Sequence, residues 1–185
     1  MKNNMKLLMY TVLFVVFIGA AVLLYNDISN DISPENSQVT DSENEKKPAP
    51  DFKMYNSDGE EVALSSFRGT PVVINFWASW CGVCTTEFPY FENAYKKYGD
   101  RVQFLMVNMT DGSYETVGKA GSFIEKNGYT FPVFYDKDFG AAIAYSVTSI
   151  PVTVFVDREG NLVQHRVGGM NESMLTEYIE NLLGE

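Results

Sequence analysis

The chain has 185 residues, 45% of them hydrophobic, and a formal charge of −10. That length allows one ordinary domain plus extra segments, and the acidity excludes a protein that lives on phosphate backbones, so nucleic acid is not an expected partner. With two cysteines and one histidine the chain cannot fill a structural zinc site by itself, and neither a metal nor any other cofactor is expected.

Residues 7–24 are an apolar run interrupted only by Thr11 and Gly19. As a helix the run would be about 27 Å long, close to the hydrocarbon thickness of a bilayer. Lys2 and Lys6 precede it, while Asp27, Asp31 and Glu35 follow it. This asymmetry predicts a cytoplasmic N-terminus over 1–6, a single transmembrane anchor over 7–24, and a remainder outside the cytoplasm. A cleaved signal peptide is the competing reading, since Gly19, Ala20 and Ala21 suit a peptidase. Against it, Val22, Leu23, Leu24 and Tyr25 stay apolar past that point. No Cys lies near the run, which excludes a lipoprotein anchor. Lys2 and Lys6 account for +2, leaving −12 for the rest, an acidity we read as solubility.

Residues 25–50 are rich in Asn, Asp, Ser, Glu and Pro without hydrophobic periodicity, and they predict a flexible tether. The domain is expected over 51–185. Its first elements are strands at 52–55 and 61–64 around the turn formers Asn56, Ser57, Asp58 and Gly59. Residues 72–77 are apolar except for Asn75, as in a central strand covered on both faces. A helix over 81–98 follows, with Phe88, Phe91, Ala94 and Tyr95 at helical spacing and Gly99 at its end. Next come a buried strand at 102–107, a helix at 114–126 with Gly128 behind it, a strand at 131–135 and a short helix at 139–145. Strands at 152–156 and 162–167 pair through the turn 157–160, and a helix over 171–183 closes the domain with Asn171 as its N-cap. This order predicts an α/β sandwich around a mixed sheet.

Both cysteines, Cys81 and Cys84, sit where the buried strand becomes a helix. The unpaired N–H groups of a helix start and its dipole stabilise a thiolate, so the Cys81 pKa should fall below the free value of about 8.5. Cys81 is then the expected exposed nucleophile. Cys84, one turn inward, is the expected resolving thiol of a redox-active Cys81–Cys84 disulfide. A purely structural disulfide would close too short a loop to stabilise much.

The strand 72–77, the segment Phe-Trp-Ala-Ser-Trp-Cys-Gly-Val-Cys and the later Ile150-Pro151 resemble the thioredoxin superfamily. The N-terminal hairpin with its Asp58-Gly59 turn, Phe67-Arg68-Gly69 before the central strand and the inserted helix at 114–126 resemble its ResA/TlpA-like branch of tethered extracytoplasmic reductases. The likeness runs from about Pro48 to the C-terminus. It implies a cis Pro151 facing the cysteines and an Ile150 backbone that meets substrate. Trp80, Gly82 and Val83 join these two as expected substrate-binding residues, although Trp77 and Trp80 read equally well as packing around the disulfide. It further implies a client such as apocytochrome c and a membrane electron donor of CcdA or DsbD type.

Glu87 lies one turn after Cys84 on the same helical face. It is either an ordinary exposed carboxylate or, shielded by Phe88, Trp77 and Trp80, an acid raised toward neutrality that exchanges a proton with Cys84. The family's Glu at the matching position implies the second. Asn75 stands where plain thioredoxins carry a buried acid, which again points to Glu87. Val83 departs from the Pro usual between the cysteines and leaves the reduction potential open. His165, in a hairpin strand, reads as structural. A peroxiredoxin-like peroxidase is the rival enzyme, but neither cysteine has the Pro-x-x-x-Thr-x-x-Cys spacing. A tethered binding or chaperone module is the non-enzymatic rival, and it would not need the intact cysteine pair.

Overall fold

The computed structural model describes residues 13, 14, 16–25 and 46–185. Leu13, Phe14 and residues 16–25 are helical and exposed. Among the described residues no helix is long and apolar enough to cross a membrane. The anchor expected at 7–24 lies partly outside them, and most of the tether lies outside them too. The compact unit begins at Lys46. Residues 46–50, which composition assigns to the tether, are bound to the domain: the Ala49 N–H donates to the Gly160 carbonyl at 3.0 Å, and Lys46 Nζ meets Asp157 Oδ2 at 2.9 Å.

Seven strands form one mixed sheet in the order β2-β1-β5-β4-β3-β6-β7. The hairpin β1 (Lys53–Tyr55) and β2 (Glu61–Ala63) turns at Gly59, whose φ of +82° suits a residue without Cβ. β3 (Val72–Trp77) is buried at every position, as its unbroken apolar run requires. It pairs in parallel with β4 (Gln103–Asn108) on one side and antiparallel with β6 (Val152–Val156) on the other. β5 (Val133–Tyr135) extends the parallel part, and β7 (Leu162–Val167) closes the far edge.

Helices cover both faces. α1 (Gly82–Tyr98), α2 (Val117–Asn127) and α4 (Glu172–Leu183) enclose the core of Val73, Trp77, Phe88, Phe91, Phe104, Phe155, Leu175 and Ile179. The opposite face packs Phe52, Met54, Ile74, Phe76, Leu105 and Val154 against Ala141 and Tyr145, at and just after α3 (Gly140–Ala144). Asn171 caps α4 by accepting the Met174 N–H at 2.9 Å.

Gly99 ends α1 as expected, whereas the bounds of several elements differ from the sequence reading. Gly99 ends α1 with a right-handed φ of −64°, so its use is space: a Cβ there would come 2.6 Å from the Tyr95 carbonyl oxygen. α2 begins at Val117 rather than near 114, because Thr116 is extended and accepts the Lys119 N–H as N-cap. The preceding turn is held by Asp111, which accepts the Ser113 and Glu115 N–H groups. A short 3-10 helix, Leu64–Phe67, is also present and has no periodic signature in four residues.

Phe76 is fully buried between Phe52 and Tyr145, with ring centroids 6.5 and 5.9 Å away. Truncating such a ring removes its transfer energy and leaves a cavity. Phe76→Ala should therefore lower unfolding free energy by about 3–5 kcal/mol in chemical denaturation. Val163→Ala, on the exposed face of β7, should stay within about 0.5 kcal/mol.

Candidate active site

β3 delivers the chain to the site. Past Trp77 the Cys81 N–H donates to the Ala78 carbonyl, and Cys81 becomes the extended N-cap of α1. Cys81 and Cys84 are joined by a disulfide. Cys81 Sγ accepts the Cys84 N–H at 3.2 Å, so a helix-start donor already points at the sulfur that would carry charge as a thiolate. Cys81, expected to be exposed, is only 7% exposed beneath the Ile150 carbonyl, and Cys84 is fully buried.

Ile150 and Pro151 stand over the pair. Their peptide bond is cis, and the Ile150 carbonyl oxygen lies 3.8 Å from Cys81 Sγ. The Pro151 carbonyl accepts the Gly168 N–H at 2.9 Å, which ties this segment to the loop after β7. That loop also approaches α1: a Cβ on Gly169 would meet Val83 Cγ1 at 2.8 Å. Gly82 has open space at its Cβ position, and Val83 and Trp80 are more than half exposed. Trp80 rests on the exposed Tyr114 ring at 5.6 Å. Trp77 by contrast is buried, edge-on to Phe88 at 4.9 Å, so of the two tryptophans it is the packing residue and Trp80 the rim residue. His165 is exposed on β7, away from this cluster.

Glu87 is 2% exposed. Its Oε1 accepts from Asn75 Nδ2 and its Oε2 from the Met170 N–H, both at 3.0 Å. Burial pushes its carboxyl up to about 7, against the pull of the Met170 N–H and the Asn75 amide toward the ionised form. The bland reading, a solvated helix carboxylate, is excluded by this burial.

One buried residue beside the site escaped the sequence reading. Glu115, fully buried, accepts from the Ser79 N–H at 2.9 Å, from Ser79 Oγ at 2.7 Å and from Asn108 Nδ2 at 2.7 Å. It thereby fixes the residue two places before Cys81 to the end of β4, and Thr110 completes the set by donating to Asn108 Oδ1. The available signal was Asn108, a polar residue ending a buried strand, which demands a partner.

The cluster can exchange a disulfide for two thiols, with one carboxyl able to hold or release a proton near neutral pH. An unfolded glutamate ionises near about 4.3, so between about 4.3 and 7 the folded state keeps a proton that the unfolded state has lost. The stability this gives is fully present below about 4.3 and is lost as pH rises through about 7. Relative to Glu87→Gln, the wild type should lose roughly 3 kcal/mol of unfolding free energy between pH 4 and pH 8. Parallel pH dependences in urea denaturation would contradict an elevated Glu87.

Comparison with known proteins agrees with this chemistry. Residues 46–165 match the AhpC/TSA family. Thiol-disulfide oxidoreductase ResA of Bacillus subtilis is 30% identical over 181 residues, covering 97% of this chain and 94% of that protein. Among solved structures, StoA from Bacillus subtilis superposes with a TM-score of 0.62 at 29% identity, over 72% of this chain and 100% of that one. The pneumococcal exposed lipoprotein thioredoxin Etrx1 from Streptococcus pneumoniae does so with 0.58 at 31% identity, over 70% of this chain and 98% of that one. Matched along most of its length to proteins of one chemistry, the chain belongs to the AhpC/TSA family of thioredoxin-like proteins, among the ResA-type thiol–disulfide oxidoreductases.

Proposed function

We propose that this oxidoreductase is anchored in the membrane by residues 7–24, works outside the cytoplasm, and reduces disulfides in envelope proteins, apocytochrome c foremost. A membrane thiol donor of CcdA or DsbD type would return its electrons. The observation that carries the reading is the buried Glu87, hydrogen-bonded within the face of α1 that also carries the inner cysteine. The apolar run at 7–24 with its flanking charges supports the anchor, and the lipoprotein relative named above supports an exposed location. A binding module would have no use for such a carboxyl.

Each turnover starts from the dithiol. The Cys81 thiolate, stabilised by the helix start, attacks one sulfur of the client disulfide. The client S–S bond breaks, its other sulfur leaves as a thiolate, and a mixed disulfide joins Cys81 to the client. Glu87 then takes the Cys84 proton, and the Cys84 thiolate attacks Cys81 Sγ. The bond to the client breaks, its second sulfur leaves as a thiolate, the two client thiolates take one proton from Glu87 and one from solvent, and Cys81–Cys84 holds the disulfide seen here. Two electrons have passed to the client. Trp80, Val83 and the Ile150 backbone line the approach to Cys81 and form the rim that the client meets.

The chain enters the domain away from this rim. β6 starts at Val152 beside Pro151, and the 157–160 turn that binds Ala49 lies at its other end.

Single-turnover kinetics on a disulfide peptide tests the reading. Cys84→Ser should accumulate a mixed disulfide through Cys81. Glu87→Gln should leave the first attack nearly unchanged and slow resolution by about 10²-fold. Resolution at the wild-type rate in Glu87→Gln, with an unchanged pH profile, would remove the proton role. Failure of Cys84→Ser to trap a client from membranes would remove the reductase.

A further inference from the structure

The hydrogen bonds of Glu87 lead one step further into the sheet. Asn75, fully buried on β3, donates through Nδ2 to Glu87 Oε1 and also to Thr153 Oγ1 on β6, each at 3.0 Å. Asn75 and Thr153 are register partners across β3 and β6, so their side chains rise from the same face of the sheet. Thr153 is itself fully buried. Asn75 Oδ1 is buried with no partner. A buried polar atom left unpaired is costly, and it is tolerated where the group has a second task.

The remaining neighbours of Glu87 set the electrostatic context. Met170 offers its N–H from the loop after β7, and Cys84 lies one turn back on α1. Arg166 pairs with Thr153 and so continues the Asn75 row toward the sheet edge, with its Nε buried and unpartnered. The α4 acids Glu172 and Glu180 are engaged further along α1, with Asn93 and with Tyr98 and Lys97. Asn75 is thus the one side chain hydrogen-bonded to the Glu87 carboxyl among the described residues.

We propose that the Asn75 amide, held in place by the Thr153 hydroxyl, is the positioning residue that sets how tightly Glu87 binds its proton. An amide suits this place better than either a hydrocarbon or an acid. Its NH2 group donates to the carboxylate and to the Thr153 hydroxyl at once, so the donor stays aimed at the ionised form of Glu87. A hydrocarbon would leave the carboxylate with the Met170 N–H alone, and a second acid would compete for the same proton.

This proposal rests on the reading of Glu87 as a proton carrier, but its test does not require activity. The midpoint of Glu87 is read directly in the oxidised full-length protein from the infrared carboxyl band that is absent in Glu87→Gln. Removing the donor destabilises the carboxylate, so Asn75→Leu should raise the midpoint by about one pH unit or more, a tenfold change in proton affinity. Thr153→Val, which keeps shape and deletes the hydroxyl, should raise it in the same direction, and Thr153→Ser should restore the wild-type value. If Asn75→Leu does not fold, the comparison of Thr153→Val with Thr153→Ser decides alone. A midpoint in Thr153→Val equal to that of the wild type overturns the proposal. Loss of the proton role in turnover, with the midpoint still moved, overturns the functional reading and leaves this one standing.

Discussion

The structure depends on one constraint: a carboxyl group sealed between α1 and the sheet must still find hydrogen-bond partners. Glu87 cannot be ionised cheaply at such a depth, and it cannot be left bare. The fold answers with one donor from β3 and one from the loop after β7, whose neighbour Gly168 also holds the Pro151 carbonyl. Glu87 and the cis-proline segment are therefore tied to the same loop. A small displacement of that loop would be felt by both.

A second buried carboxylate does a complementary job. Glu115 holds Ser79 and Asn108, so the segment leading to Cys81 is tied to the end of β4 as well as to β3. The segment between β4 and α2 that supplies Glu115 also places Tyr114 against Trp80. The exposed Trp80 is in this way supported by the same turn that ties down the cysteine loop.

Much of this was legible in the residues. The unbroken apolar run of β3, the cysteines at its exit, the helical spacing behind them and the Asn171 cap each follow from local physics, and the structure places them as expected. Glu87 was legible as a shielded acid raised toward neutrality, but its partners were not, because the Met170 N–H comes from far away in sequence. The start of α2 was misplaced because Tyr114 and Glu115 look like good helix residues, whereas Asp111 and Thr116 win by capping a turn and then the helix. Glu115 was hidden for the same reason. Its partners Ser79 and Asn108 lie on two other segments, and no periodicity within one segment records them.

The central claim is that Cys81 and Cys84 form a reducing couple. The most direct measurement is the equilibrium reduction potential of the pair in the full-length protein, titrated in redox buffers at neutral pH. The account predicts a value near that of thioredoxin, about −270 mV, despite Val83 between the cysteines. A value near about −120 mV, that of a strong oxidant, would contradict it.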